Sequence, residues 1–181
     1  MNSFYSINEL KDLGLKSFGT NVYISKYARI YNPENLIVGN HVRIDDFCIL
    51  SGKITLGSHI HISAYCALYG KYGIVMKDFS GLSPRCTLFS ASDDFNGDFL
   101  MSPMTKPIHN HIINGEIFLD KYSQIGANST ILPNAIVNEG AVAGAMSLIT
   151  KNLDAWSVYA GIPVKKIKSR KQGLLKFIDE Y

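Results

Sequence analysis

The chain has 181 residues, 46% of them apolar and 18% charged, with a net charge of +3, which suits one folded domain and excludes a disordered chain. That balance is too mild to mark a nucleic-acid or membrane surface, and no apolar run reaches the roughly 20 residues of a membrane helix. The start MNSFYSINEL lacks a signal-peptide pattern and the three cysteines form no CxxC motif, so a cytoplasmic protein with reduced thiols is the expectation.

Residues 1–20 read as an N-terminal cap. Beyond them the chain has an internal period of six. Ile24 and Ile30 begin it, and Val38, Ile44, Leu50, Leu56, Ile62 and Leu68 continue it, with Val42, Cys48, Ile54, Ile60, Cys66 and Tyr72 four residues after each. After a slip of two residues the frame resumes at Met76, Leu82 and Leu88, with Ser80, Cys86 and Ser92 at the same offset. A second run passes through Leu119, Ile125, Ile131, Val137, Ala143 and Ile149, accompanied by Ser123, Ser129, Ala135, Ala141, Ser147 and Leu153.

Six is neither the helical 3.6 nor simple strand alternation, so each hexad predicts a short strand followed by a turn. Three hexads make one coil, and coils stacked about 4.8 Å apart bury the apolar positions in a column. Glycines such as Gly39, Gly57, Gly126 and Gly144 are expected where a corner needs room or positive φ, and Asn40, Asn128, Asn134 and Asn138 at similar corners. Cys48, Cys66 and Cys86 are 18 and 20 residues apart, one coil and one coil plus the slip, which predicts a single buried column of thiols.

Between the runs, residues 93–116 break the period with the polar, turn-rich stretch DDFNGDFLMSPMTKPIHNHIINGE. A loop of that length inside a compact repeat is uncommon unless it binds or catalyses. After the second run Lys165, Lys166, Lys168, Arg170 and Lys171 form a basic cluster, and Leu174, Leu175 and Ile178 have helical spacing. A C-terminal helix over residues 166–181, capping the last coil, is the expectation.

The hexads Leu56-Gly57-Ser58-His59-Ile60-His61 and Ile125-Gly126-Ala127-Asn128-Ser129-Thr130 resemble those of the hexapeptide-repeat acetyltransferases, the galactoside, maltose and polysaccharide-sugar enzymes among them. The resemblance covers about residues 20–165. It implies an all-β fold, a left-handed parallel β-helix over residues 21–165 with one long excursion loop, against the usual right-handed crossover. It also implies a homotrimer in which the loop reaches a neighbouring subunit, and acetyl-coenzyme A as donor. Matched one at a time, Ala127 and Ala145 would flank the pantetheine arm, Thr150 and Lys151 would lie near the adenine and pyrophosphate end, Ala160 and Gly161 open the Ala-Gly-x-Pro turn, and Lys165 and Lys168 stand where relatives often have Arg beside the 3′-phosphate.

Many relatives open the loop with a histidine base, and here that place holds Ser92-Asp93-Asp94. A hydroxyl acceptor needs a base, which contributes about 10²–10⁴-fold, whereas a neutral amine is already nucleophilic. The departure favours N-acetylation of a nucleotide-linked amino sugar, of the kind used in surface polysaccharides, with Asp93 and Asp94 as catalytic candidates and with His109 and His111 as further ones in the same loop. Three alternatives stand beside it: O-acetylation of a sugar hydroxyl, a non-catalytic β-helix scaffold, and a γ-carbonic-anhydrase-like zinc enzyme, although no metal site is expected from the histidine spacing.

Overall fold

A computed structural model describes residues 3–181. Short strands wind into a left-handed prism of about seven coils. The first face stacks residues 23–24, 42–44, 60–62, 81–82, 124–125, 142–143 and 157–160, all parallel. The second stacks 29–31, 49–52, 67–70, 87–89, 130–131 and 148–149. The third stacks 17–18, 36–38, 54–56, 74–76, 117–119 and 136–137, and Leu153 bridges to Val137 beyond them. Strands Ile49–Leu56 and Ala67–Met76 turn the corner from second face to third without a break.

The hexad frame is the core. Ile44, Leu50, Ile62, Leu68, Leu88, Leu119, Ile125, Ile131 and Ile149 are fully buried, each resting on the equivalent side chain one coil away. Two positions depart from the expected frame. Tyr72 is exposed, because the two extra residues of the slip fall at 71–72, between Gly70, which pairs with Gly52, and Ile74, which pairs with Ile54 and takes the inward place. Ser92 is only half-buried, because the chain has already left the prism there.

The cysteines stack as expected, free and buried. Their thiols donate to corner carbonyls: Cys48 to Ser63 O at 3.1 Å, Cys66 to Ser83 O at 3.2 Å and Cys86 to Gly126 O at 3.2 Å. Ser129 and Ser147 continue the column, both donating to Gly144 O. A small donor at this offset satisfies a carbonyl that the turn would otherwise bury unpaired.

At Gly39, Gly57 and Gly126 the corner needs room rather than positive φ, which glycine supplies at Gly52 and Gly140. A Cβ on Gly39 would meet Gly57 O at 2.4 Å. The left-handed conformation falls also on Asn128 and Asn134, and on large side chains such as His41, Phe47, His59, Tyr65, Phe79, Tyr122 and Trp156; Asn40 and Asn138 are not among the positive-φ residues and serve through side-chain bonds with Thr20 and Leu153. Such a conformation costs roughly 1–2 kcal/mol per residue. Ring stacking, at about 0.5–1.5 kcal/mol per pair, offsets it: His41, His59, Phe79, Tyr122 and Trp156 form one ladder with centroids 4.6–6.0 Å apart.

Both ends differ from the sequence expectation. Helix Ile7–Asp12, with a Ser6/Glu9 capping box, buries Leu10 against the first coil, and the first rung, Ser17–Phe18, already lies within residues 1–20. At the other end residues 166–181 are not one helix. Lys165–Ser169 is a strand antiparallel to Ser157–Ala160, a lysine-bearing edge of the kind that blunts a sheet, and Gly173–Glu180 is a 3₁₀ helix. Between them Arg170 donates to Tyr122 O at 2.7 Å and Gly140 O at 2.9 Å. This turns the tail back along the aromatic ladder, where Tyr181 meets His59 and Phe79 edge-on, so it does not cap the last coil. No helix among the described residues is long and apolar enough to cross a membrane.

Candidate active site

The excursion leaves the second face after Phe89 on a stalk absent from the sequence reading. Ala91–Asp93 pairs antiparallel with Ile112–Asn114, Asp93 opposite Ile112. At its root a cleft of about 480 Å³ is lined by Phe89, Ala91, Ser92, Asp93, Phe95, Ile112 and Leu132. Asp93 is the one charged side chain in that lining.

Asp94 and His111 come together at the end of the stalk, with Asp94 Oδ2 2.9 Å from His111 Nδ1. Asp94 Oδ1 accepts the Asn96 N–H at 2.9 Å. Those contacts, the Asn96 amide first and the imidazole second, hold the Asp94 carboxyl below the usual carboxylate range. His109 stands apart. It ends the 3₁₀ turn Pro107–His109, exposed, in a separate hollow with Gly97, Asp98, Phe99, Leu100 and Ile108. The structure therefore joins Asp94 to His111, turns Asp93 to the cleft, and separates His109 from both.

Of the residues matched to the donor segment, Ala127, Ala145, Ala160 and Gly161 lie at the corner between the first and second faces. Met146 N–H donates to Ala127 O at 2.8 Å and Leu148 N–H to Gly161 O at 3.0 Å, so Ala127, Ala145 and Gly161 succeed one another over three coils. Ala145 is exposed. A Cβ on Gly126 would lie 2.4 Å from Ala145 N, which leaves a smooth strip open to solvent. Thr150 and Lys151 are exposed just beyond the second-face strand Leu148–Ile149. Lys165 and Lys168 are exposed on the edge strand, opposite Ala160 and Val158. Ala127, Ala145 and Gly161 thus lie along one long edge of the second face, and Asp93, Thr150 and Lys151 along the other.

Sequence reasoning missed the Arg170 clamp and the Phe99 ring against His111 at 5.2 Å, since neither has a local signal. Among the described residues no group of three or more His, Cys, Asp or Glu side chains is placed to hold a metal ion. His59 is stacked between His41 and Phe79, and His61 is bonded to Asp45 at 2.8 Å.

A parallel β-helix with an excursion loop and a corner of small residues is the form of the acyl-coenzyme A-dependent acyltransferases that this chain matches from end to end, and the chain is one of that class. The chain matches AntD, an N-acyltransferase from Bacillus cereus, with a TM-score of 0.98 and 50% identity over 99% of this chain and 97% of that one, in a structure holding dTDP and coenzyme A. It is 37% identical over 171 residues, 93% of this chain and 89% of the other, to the dTDP-4-amino-4,6-dideoxy-D-glucose acyltransferase of Escherichia coli. A hexapeptide-repeat acetyltransferase of Vibrio cholerae shares the fold, with a TM-score of 0.64 at 14% identity over 94% of this chain and 81% of that one. No family model matches the chain. On the full-length relatives, the chain belongs to the hexapeptide-repeat acetyltransferase family.

Proposed function

We propose that the chain transfers the acyl group of an acyl-coenzyme A to the amino nitrogen of a nucleotide-linked 4-amino-4,6-dideoxy sugar, a precursor for surface polysaccharide. The observation that carries this is the loop-root cleft: it presents a carboxylate, Asp93, and its lining contains no imidazole. The full-length likeness to AntD supports it, since structures of that protein hold dTDP-4-amino-4,6-dideoxyglucose with coenzyme A, or 3-hydroxybutyryl-CoA with dTDP.

In this reading Asp93 aligns the amine, offsets the positive charge that develops on nitrogen as it attacks the thioester carbon, and accepts its proton. The C–N bond forms, the C–S bond breaks, the nitrogen loses one proton and the leaving thiolate gains one, giving an amide and free coenzyme A. Positioning supplies most of the gain. Ala127, Ala145, Ala160 and Gly161 admit the pantetheine arm, Thr150 and Lys151 lie toward its nucleotide end, and Lys165 and Lys168 meet phosphate as point charges rather than as bidentate forks.

A homotrimer completes the site. Phe95, Leu100, Met101, Met104 and Ile108 of the loop are exposed, Met104 at 90%, an apolar surface suited to a neighbouring copy. Sedimentation should give three chains per particle, and a fully active monomer would refute the assembly. The reaction itself is tested by coenzyme A release with a dTDP-linked 4-amino sugar against its 4-hydroxyl counterpart. Faster release with the amine is expected, and turnover confined to the hydroxyl sugar would reverse the assignment to O-acylation.

A further inference from the structure

We propose that Asp94 and His111 are positioning residues that lock the register of the loop stalk, so that Asp93 and not its chemically identical neighbour faces the acceptor. This rests on the site reading above. Along the stalk Ala91 faces Asn114, Ser92 faces Ile113 and Asp93 faces Ile112. The pair that follows is Asp94 with His111, whose carbonyl accepts the Asp94 N–H at 3.2 Å. Side chains alternate sides along such a pair, and Asp93 and Ile112 share the side that lines the cleft. Asp94 and His111 share the opposite side.

A slip of one residue exchanges the two sides of a strand. In most sequences that would bring the wrong chemistry into the cleft and so be resisted. Here the sequence is Asp-Asp, and a slipped stalk would still present a carboxylate, displaced by about 3.3 Å along the strand. Misplacement of only 1 Å can cost roughly 10²-fold in rate. Something other than residue type must therefore distinguish the two aspartates, and the hydrogen bonds do. Asp94 has both oxygens engaged, one by the Asn96 N–H and one by His111 Nδ1, and is 7% exposed. Because a carboxylate only accepts, the imidazole donates from Nδ1. Phe99 rests against that ring at 5.2 Å, which limits its rotation. A slipped register would leave His111 without its acceptor and bring the Asp94 carboxylate out of its bonds.

The test is steady-state kinetics on the intact protein carrying Asp93→Asn, Asp94→Ala, His111→Ala or His111→Asn. An asparagine amide at 111 places its N–H near the Nδ1 position, so His111→Asn should keep kcat within about threefold of the parent. Asp94→Ala and His111→Ala should each lower kcat by roughly 10–100-fold while KM for acyl-coenzyme A stays within about twofold, and the double variant should be no worse than either single one. Should Asp94→Ala fail to fold, Asp94→Asn interrogates the same contact with the shape retained. If His111→Asn loses as much as His111→Ala, the imidazole itself moves the proton and the register role is wrong. Full turnover in both alanine variants would overturn it as well. Undiminished kcat in Asp93→Asn would instead remove the site reading, and the lock with it, which the other variants alone cannot do.

Discussion

Substituting Gly126 by Ala probes the donor corner. The added Cβ would stand 2.4 Å from Ala145 N and 2.6 Å from Gly144 C, both backbone atoms of the next coil. Opening that contact to an ordinary separation takes about 1 Å, and the same movement would lengthen the Gly126 N–H to Ala143 O bond, now 2.8 Å, to about 3.8 Å, beyond hydrogen-bond range. Overpacking costs about 1–3 kcal/mol and the lost bond about 0.5–1.5 kcal/mol, together about 1.5–4.5 kcal/mol. At roughly 2–4 °C per kcal/mol for a chain of this size, the midpoint of thermal unfolding should fall by about 3–18 °C. Gly144, one coil on, is the control, because its Cβ would meet only Ala160 Cβ at 3.4 Å and Tyr159 O at 3.6 Å. Calorimetry at one fixed protein concentration should find Gly144→Ala within about 1 kcal/mol of the parent. Acyl-coenzyme A affinity, read by titration calorimetry, should fall with Gly126→Ala. Equal shifts for the two glycines would refute the close-approach argument.

Lys168→Ala should weaken acyl-coenzyme A binding several-fold at low salt and leave kcat at saturation nearly unchanged, and a kcat loss without a binding loss would move Lys168 away from the phosphates. The three thiols should resist alkylation in the native protein and react at once in denaturant, since all are fully buried and the neighbouring Cys66 thiol together with burial holds Cys48 above the ordinary thiol range; rapid native-state labelling would contradict the column. Asp94 is depressed in the folded protein by the Asn96 amide and His111, so its contribution is present above the unfolded value near 3.9 and is lost as pH falls through the folded one. Pepsin should therefore nick residues 95–110 faster as pH drops below about 4, and an Asp94→Asn variant nicked with the same pH dependence as the parent would remove that explanation.

The period of six was enough, by itself, to set the prism and its core. An inward side chain on every sixth residue has no other way to be buried at every step, which is why Val38 through Leu68 and Leu119 through Ile149 occupy their expected places. Handedness came from the family resemblance rather than from the period. The place of the excursion was legible too, because the hexads simply stop. What the sequence could not decide is pairing at a distance. Asp94 and His111 are 17 residues apart in a loop without periodicity, and only the antiparallel stalk makes them neighbours and sends Asp93 to the other side. Tyr72 and Ile74 are both apolar enough for the core, and it took the pairing of Gly52 with Gly70 to choose between them. The spacing of Leu174, Leu175 and Ile178 predicts a helix, and a 3₁₀ helix forms there, but backbone hydrogen bonds to an open sheet edge claim residues 165–169 as a strand. Local pattern fixes what repeats; a carboxylate's partner and a strand's last neighbour depend on surfaces that exist only once the coils have closed.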